Sequence, residues 1–66
     1  MQIIVNGEKK ELAEGLTIKG LLDKSGIVTN QVAVEVNLNI ISKNEFDKHV
    51  INKGDKVEII SFVGGG

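Results

Sequence analysis

The residues with chemistry to offer are three glycines in a row, Gly64-Gly65-Gly66, set directly after the apolar run Val57-Glu58-Ile59-Ile60-Ser61-Phe62-Val63. A residue without Cβ enters channels too narrow for any other side chain and reaches backbone angles closed to other residues. The stretch therefore reads as a thin, flexible arm made for insertion, with the α-carboxylate of Gly66 as its reactive end. Small residues also collect at frayed chain ends, so the arm alone leaves fraying open as an explanation. A carboxylate ionised at neutral pH is a poor electrophile until one oxygen becomes a better leaving group. Acyl adenylation would provide that, but it needs an ATP and Mg²⁺ site that this sequence lacks. Any such activation must come from another protein.

The other candidates for chemistry are weak. His49 is the sole histidine and cysteine is absent, which removes thiol nucleophiles, thiolate metal sites and disulfides. The segment Gly15-Leu16-Thr17-Ile18-Lys19-Gly20 continues into Leu21-Leu22 and not into the Lys-Ser/Thr pair of a phosphate loop. Asp23, Glu35, Glu45, Asp47, Asp55 and Glu58 fall mostly in turns or on exposed positions, where they balance lysines and assist caps. None is assigned to acid-base work.

At 66 residues the chain is expected to form one domain over 1–66, small enough to bury only roughly 60% of its unfolded surface. A core of that size seldom supplies the walls of an enzyme cleft, so a binding or carrier module is expected. Net charge is −1 with acidic and basic residues interleaved, and the aromatics are Phe46 and Phe62 alone. A nucleic-acid binder would show a basic stripe with stacking aromatics. No stretch approaches membrane-spanning length and no signal-peptide layout opens the chain, so a cytoplasmic protein is expected.

The elements that position the arm follow from local pattern. Gln2 to Val5 reads as a strand, Asn6-Gly7 as a hairpin turn, and the charged segment Glu8 to Leu12 as a returning edge strand. Thr17 stands as N-cap ahead of Ile18, Leu21 and Leu22 on one helical face, and Gly26 is the stop. Gly20 inside this helix predicts close packing against the sheet. After a loop over 27–31, three valines alternate with Ala33 and Glu35 from Val32 to Val36, a half-buried strand. Asn37-Leu38-Asn39 predicts a turn, Ile40-Ile41 a short strand, and Ser42-Lys43-Asn44-Glu45 a capping box opening one helical turn before Phe46. Lys53-Gly54-Asp55 turns into a final strand from Lys56 to about Val63.

The first and last strands are the most apolar and belong in the middle of a sheet, parallel to each other, with the helix across one face. That is an α+β β-grasp arrangement, a mixed sheet of four to five strands on one helix. Alternation sends Ile3, Val5, Val57 and Ile59 toward the helix and Ile4, Ile60 and Phe62 away from it. The second set predicts an exposed apolar patch leading toward the tail, and such a patch predicts a partner.

These features together resemble a known family: Met1-Gln2-Ile3-Ile4-Val5-Asn6-Gly7 opening a hairpin, Thr17-Ile18 opening the helix, Gly54-Asp55-x-Val57-Glu58-Ile59, and a terminal Gly-Gly after an apolar strand. The chain resembles the ubiquitin-like sulfur carriers, and within them the ThiS family of thiamine biosynthesis, over essentially its whole length. The resemblance implies that Gly66 is adenylated by an adenylyltransferase of the ubiquitin-activating-enzyme type (ThiF type), which uses ATP and Mg²⁺. It further implies conversion to a thiocarboxylate with sulfur from a donor such as a cysteine desulfurase. A thiazole synthase (ThiG type) would then take the sulfur. On this resemblance Gly64 and Gly65 carry the insertion, Ile4, Ile60 and Phe62 dock on the partners, and the chain is a cosubstrate and not an enzyme. Gly64 is one glycine beyond the family's minimum. The same fold and ending would serve a molybdopterin-type carrier, a carrier for tRNA thiolation or protein conjugation, or a β-grasp interaction domain whose glycines merely fray.

Overall fold

The computed structural model describes residues 1–62; Val63 and the glycines Gly64, Gly65 and Gly66 lie outside the described residues. Strand β1 (Gln2–Val5) and strand β2 (Glu8–Glu11) form the opening hairpin. Asn6 and Gly7 turn it with φ of 49° and 82°. Two successive positive φ angles twist the chain in the sense that a right-handed two-stranded ribbon needs, and asparagine and glycine tolerate them.

Helix α1 (Ile18–Lys24) follows. Thr17 caps it, its Oγ1 accepting from the Gly20 amide at 3.1 Å, a contact that contributes about 1 kcal/mol. At the other end Gly26 takes φ 72°, its amide donates to the Asp23 carbonyl, and the Ile27 amide reaches back to the Leu22 carbonyl. These two bonds form a Schellman closure, which only a residue at ease with positive φ permits. Seven residues are too few for a helix to persist alone in water; burial of Ile18, Leu21 and Leu22 holds it. Each side chain so buried contributes roughly 1.5–3 kcal/mol.

Strands β3 (Val32–Val36), β4 (Asn39–Ile41) and β5 (Lys56–Ser61) complete a five-stranded sheet ordered β2-β1-β5-β3-β4. Short 3₁₀ turns cover Thr29–Gln31 and Lys43–Glu45. The strand from the start of the chain and the strand from its end lie side by side and parallel, as their apolar composition predicts. The charged β2 is an edge. Ile3, Val32, Val34, Val36 and Val57 point into the core with the helix residues, closed at the rim by Leu12, Phe46 and Ile51. Backbone bonds from Ile18 to His49, Lys19 to Phe46 and Ile51 to Leu16 tie the helix entrance to the segment before β5.

Two local expectations are corrected. A Cβ on Gly20 would meet Leu16 Cδ1 at 2.7 Å, so the close neighbour is the side chain folded back from the loop ahead of the helix and not the sheet. Ser42 makes no side-chain cap; its hydroxyl donates to Asn44 Oδ1 at 2.7 Å, so the turn at Lys43 is entered without the reciprocal capping box. An adjacent acceptor two residues on competes with the backbone amides for a serine hydroxyl.

Candidate functional site

Strand β5 is the element that carries the chain toward the glycines, and its register decides what surrounds their root. Against β1 it pairs only through Ile4 with Lys56 and Val5 with Val57. Against β3 it pairs from Val57 with Val36 through to Ser61 with Val32. The latter half of β5 therefore runs beyond the end of the opening hairpin. Asn6 covers the step: its amide donates to the Val57 carbonyl at 2.9 Å, and its Oδ1 accepts from the Ile59 amide at 2.7 Å. One side chain in a turn thus continues the ladder by one bond after the neighbouring strand has ended. On the other side the Phe62 amide donates to the Gln31 carbonyl at 3.2 Å, extending the β3 pairing to the last described residue.

The face of the sheet away from the helix is set by alternation along these strands. Ile60 is 48% and Phe62 60% exposed, both outward, while Ile59 packs against the core. Lys43 Nζ stands 5.9 Å from the centroid of the Phe62 ring, within reach of a cation–π attraction. Ala33 faces Ile60 across the pair and leaves its flank open. Ile4 also points outward and is half-buried, but it is not part of the same patch. It sits opposite Lys56, four residues before Ile60, a separation of about 13 Å along the strand. Lys9 flanks it on the far side. Ile60 and Phe62 are thus brought together at the root of the tail, and Ile4 stands apart between two lysines.

Two exposed apolar residues on the far side were not singled out from sequence. Ile40, 77% exposed, pairs with Glu35 and shares the outward face. Leu38 is 89% exposed at the β3–β4 turn with φ 73°. Straight alternation from the buried valines would turn Ile40 inward. The two-residue turn at Asn37 and Leu38 pairs Val36 with Asn39 and reverses the parity, which places Ile40 beside Glu35 on the outward face. The exposure of Leu38 depends on the turn geometry, which is fixed by Asn37: its Nδ2 donates to Asp55 Oδ1, and its Oδ1 accepts from the Lys56 amide, both at 3.0 Å.

His49 is half-buried and engaged through its backbone, its amide donating to Glu45 and its carbonyl accepting from Ile18. Among the described residues no group of three or more metal-binding side chains converges and no pocket is present. Among the described residues no helix is long and apolar enough to cross a membrane. Gly64, Gly65 and Gly66 lie outside the described residues.

A single helix across a mixed five-stranded sheet, with the first and last strands parallel at its centre, defines a ubiquitin-like β-grasp domain. The sequence model of the ThiS family matches residues 3–66. The chain belongs to the ThiS family. It is 33% identical, with a TM-score of 0.86 and complete coverage of both chains, to the crystal structure of a thiamine biosynthesis protein (ThiS) from Geobacter metallireducens. It is 34% identical to the sulfur carrier protein ThiS of Thermus thermophilus over 94% of this chain and 95% of that one. Over its whole length it is 39% identical to a thiazole synthase of Paramagnetospirillum magneticum. There the chain spans only 20% of the relative's length, as it does in a second thiazole synthase from Magnetococcus marinus.

Proposed function

We propose that this chain is a sulfur carrier for thiazole formation in thiamine biosynthesis, with Gly66 as the point of attachment. In this reading a carboxylate oxygen of Gly66 attacks the α-phosphorus of ATP held with Mg²⁺ by a ThiF-type adenylyltransferase, and pyrophosphate leaves. The terminal sulfur of a persulfide on a donor such as a cysteine desulfurase then displaces AMP from the acyl carbon, and a thiol reductant cleaves the resulting acyl disulfide to leave a thiocarboxylate. A ThiG-type thiazole synthase takes that sulfur, and the chain returns as a carboxylate. The protein acts as a cosubstrate, and its own contribution is presentation. Gly64 and Gly65 keep the arm narrow, and Ile60 and Phe62 offer apolar contact at its root, while Ile4 gives a second contact between lysines.

The observation that carries the reading is the family match running through residue 66, joined to a sheet whose central strand leads toward the glycines with outward apolar residues beside them. Two relatives in which this whole chain corresponds to a fifth of a thiazole synthase support that synthase as the acceptor. The test is incubation with the adenylyltransferase, ATP, Mg²⁺ and a sulfur donor, followed by intact mass. An oxygen-to-sulfur exchange on Gly66 is expected, and its absence refutes the carrier role. Complementation separates the acceptors: growth restored in a strain lacking the molybdopterin carrier, but not in one lacking the thiazole carrier, would refute the thiazole assignment.

A further inference from the structure

The outward face of the sheet holds a charge arrangement that sulfur carriage through the tail does not use. Glu35 and Glu58 face each other across β3 and β5. Both point away from the helix, because Val34, Val36 and Val57 beside them are buried. Cross-strand partners stand about 5 Å apart at Cβ, and like charges so placed disfavour the sheet. Neither carboxylate has a cation within ion-pair distance among the described residues, where the ion pairs are Met1 with Glu11, Lys10 with Glu8 and Lys19 with Asp23. Apolar side chains border the pair on two sides. Ile40 lies beside Glu35 on β4, and Ile60 is the next outward residue along β5.

We propose that Glu35 and Glu58 together receive one arginine side chain from the surface of the thiazole synthase, with Ile40 and Ile60 covering apolar surface on either side of it. The inference rests on the carrier reading and names the chemistry of its docking partner. A guanidinium is planar, stays charged, and presents several donors, so it can bond two neighbouring carboxylates at once. Charge complementarity turns the like-charge cost of the free sheet into a gain on docking, and it rejects surfaces that bring a carboxylate to the same place. Any protein that receives the tail must lie over this end of the face, because Ile60 and Phe62 stand where β5 leads toward the glycines. Two relatives hold this segment and the synthase in one polypeptide, which favours the synthase over a second copy of the chain.

The test is titration calorimetry of the full chain against purified thiazole synthase at low and high salt, using wild type, the double variant Glu35→Gln with Glu58→Gln, and Glu58→Lys. The double variant is expected to bind about tenfold more weakly at low salt with a shallower salt dependence, and Glu58→Lys more weakly still. Both should melt no lower than wild type, since a repulsion has been removed, so a loss of binding cannot be a loss of fold. Wild-type affinity in either variant overturns the proposal, as does a wild-type affinity indifferent to salt or no binding of the wild type. A wild-type dimer in sedimentation that the double variant loses assigns the pair to a second copy and also overturns it. Sulfur loading of Gly66 by the adenylyltransferase, read by intact mass, is scored separately. If loading fails, the carrier reading falls; if loading proceeds and the variants bind normally, only the acidic-pair inference falls.

Discussion

Replacing Asn6 tests whether one turn side chain secures the strand that leads to the glycines. Asn6→Ala removes the acceptor of the Ile59 amide, a 2.7 Å bond at an exposed position, with a net contribution of about 0.5–1.5 kcal/mol. It also puts a residue with little tolerance for the left-handed region at φ 49°, which costs about 1–2 kcal/mol. The Asn6 amide still bonds to Val57, so the hairpin keeps its link to β5. The sum is a loss of about 1.5–3.5 kcal/mol, a large share of the roughly 3–10 kcal/mol available to a domain of this length. Asn6→Gly separates the two terms: it removes the acceptor without the left-handed strain, and is expected to cost about 1–2 kcal/mol. Asn6→Asp keeps an acceptor at the same reach and should stay close to wild type. The measurements are urea unfolding and hydrogen exchange at the Ile59 amide, which should speed up in the alanine and glycine variants and not in the aspartate one. If Ile59 exchanges equally slowly in all three, or if alanine and glycine cost the same, the reasoning is refuted.

The remaining expectations concern the outward face and the arm. Phe62→Ala removes a ring that is 60% exposed, so stability should change by less than about 0.5 kcal/mol while partner binding weakens; loss of cooperative unfolding would show that the ring belongs to the core. Leu38→Gly relieves a left-handed leucine at φ 73°, and unfolding should shift toward higher denaturant by about 0.5–1 kcal/mol after the added chain entropy of glycine; a destabilised variant would mean that the exposed leucine is packed in solution. One alanine added after Gly66 moves the carboxylate out of register and should abolish adenylation, measured by pyrophosphate release. Adenylation that survives the extension contradicts insertion of the arm.

Turns, caps and strand alternation set by a few adjacent residues were read correctly from the sequence in most cases. The Asn6-Gly7 hairpin, the Thr17 cap, the Gly26 stop and the valine alternation of β3 are all local, and each is present. The placement of β1 beside β5 also followed from composition, because two apolar strands have no stable place at a sheet edge. Local inference failed where two groups competed for one partner or one space. Ser42 chose Asn44, and Leu16 filled the room beside Gly20.

A period of two fixes which face a strand residue occupies, so the sequence determined that Ile4, Ile60 and Phe62 point away from the helix, and it carried the glycine arm that the family match runs through. A period of two does not fix register between strands some fifty residues apart. Only the tertiary structure decided that β1 ends two pairs into β5, which separates Ile4 from Ile60, leaves Asn6 to bond the Ile59 amide, and sets Glu35 opposite Glu58. Register depends on how the helix packs across β1 and β5 and on how β3 pairs with the other edge of β5, and that is a property of the packed whole.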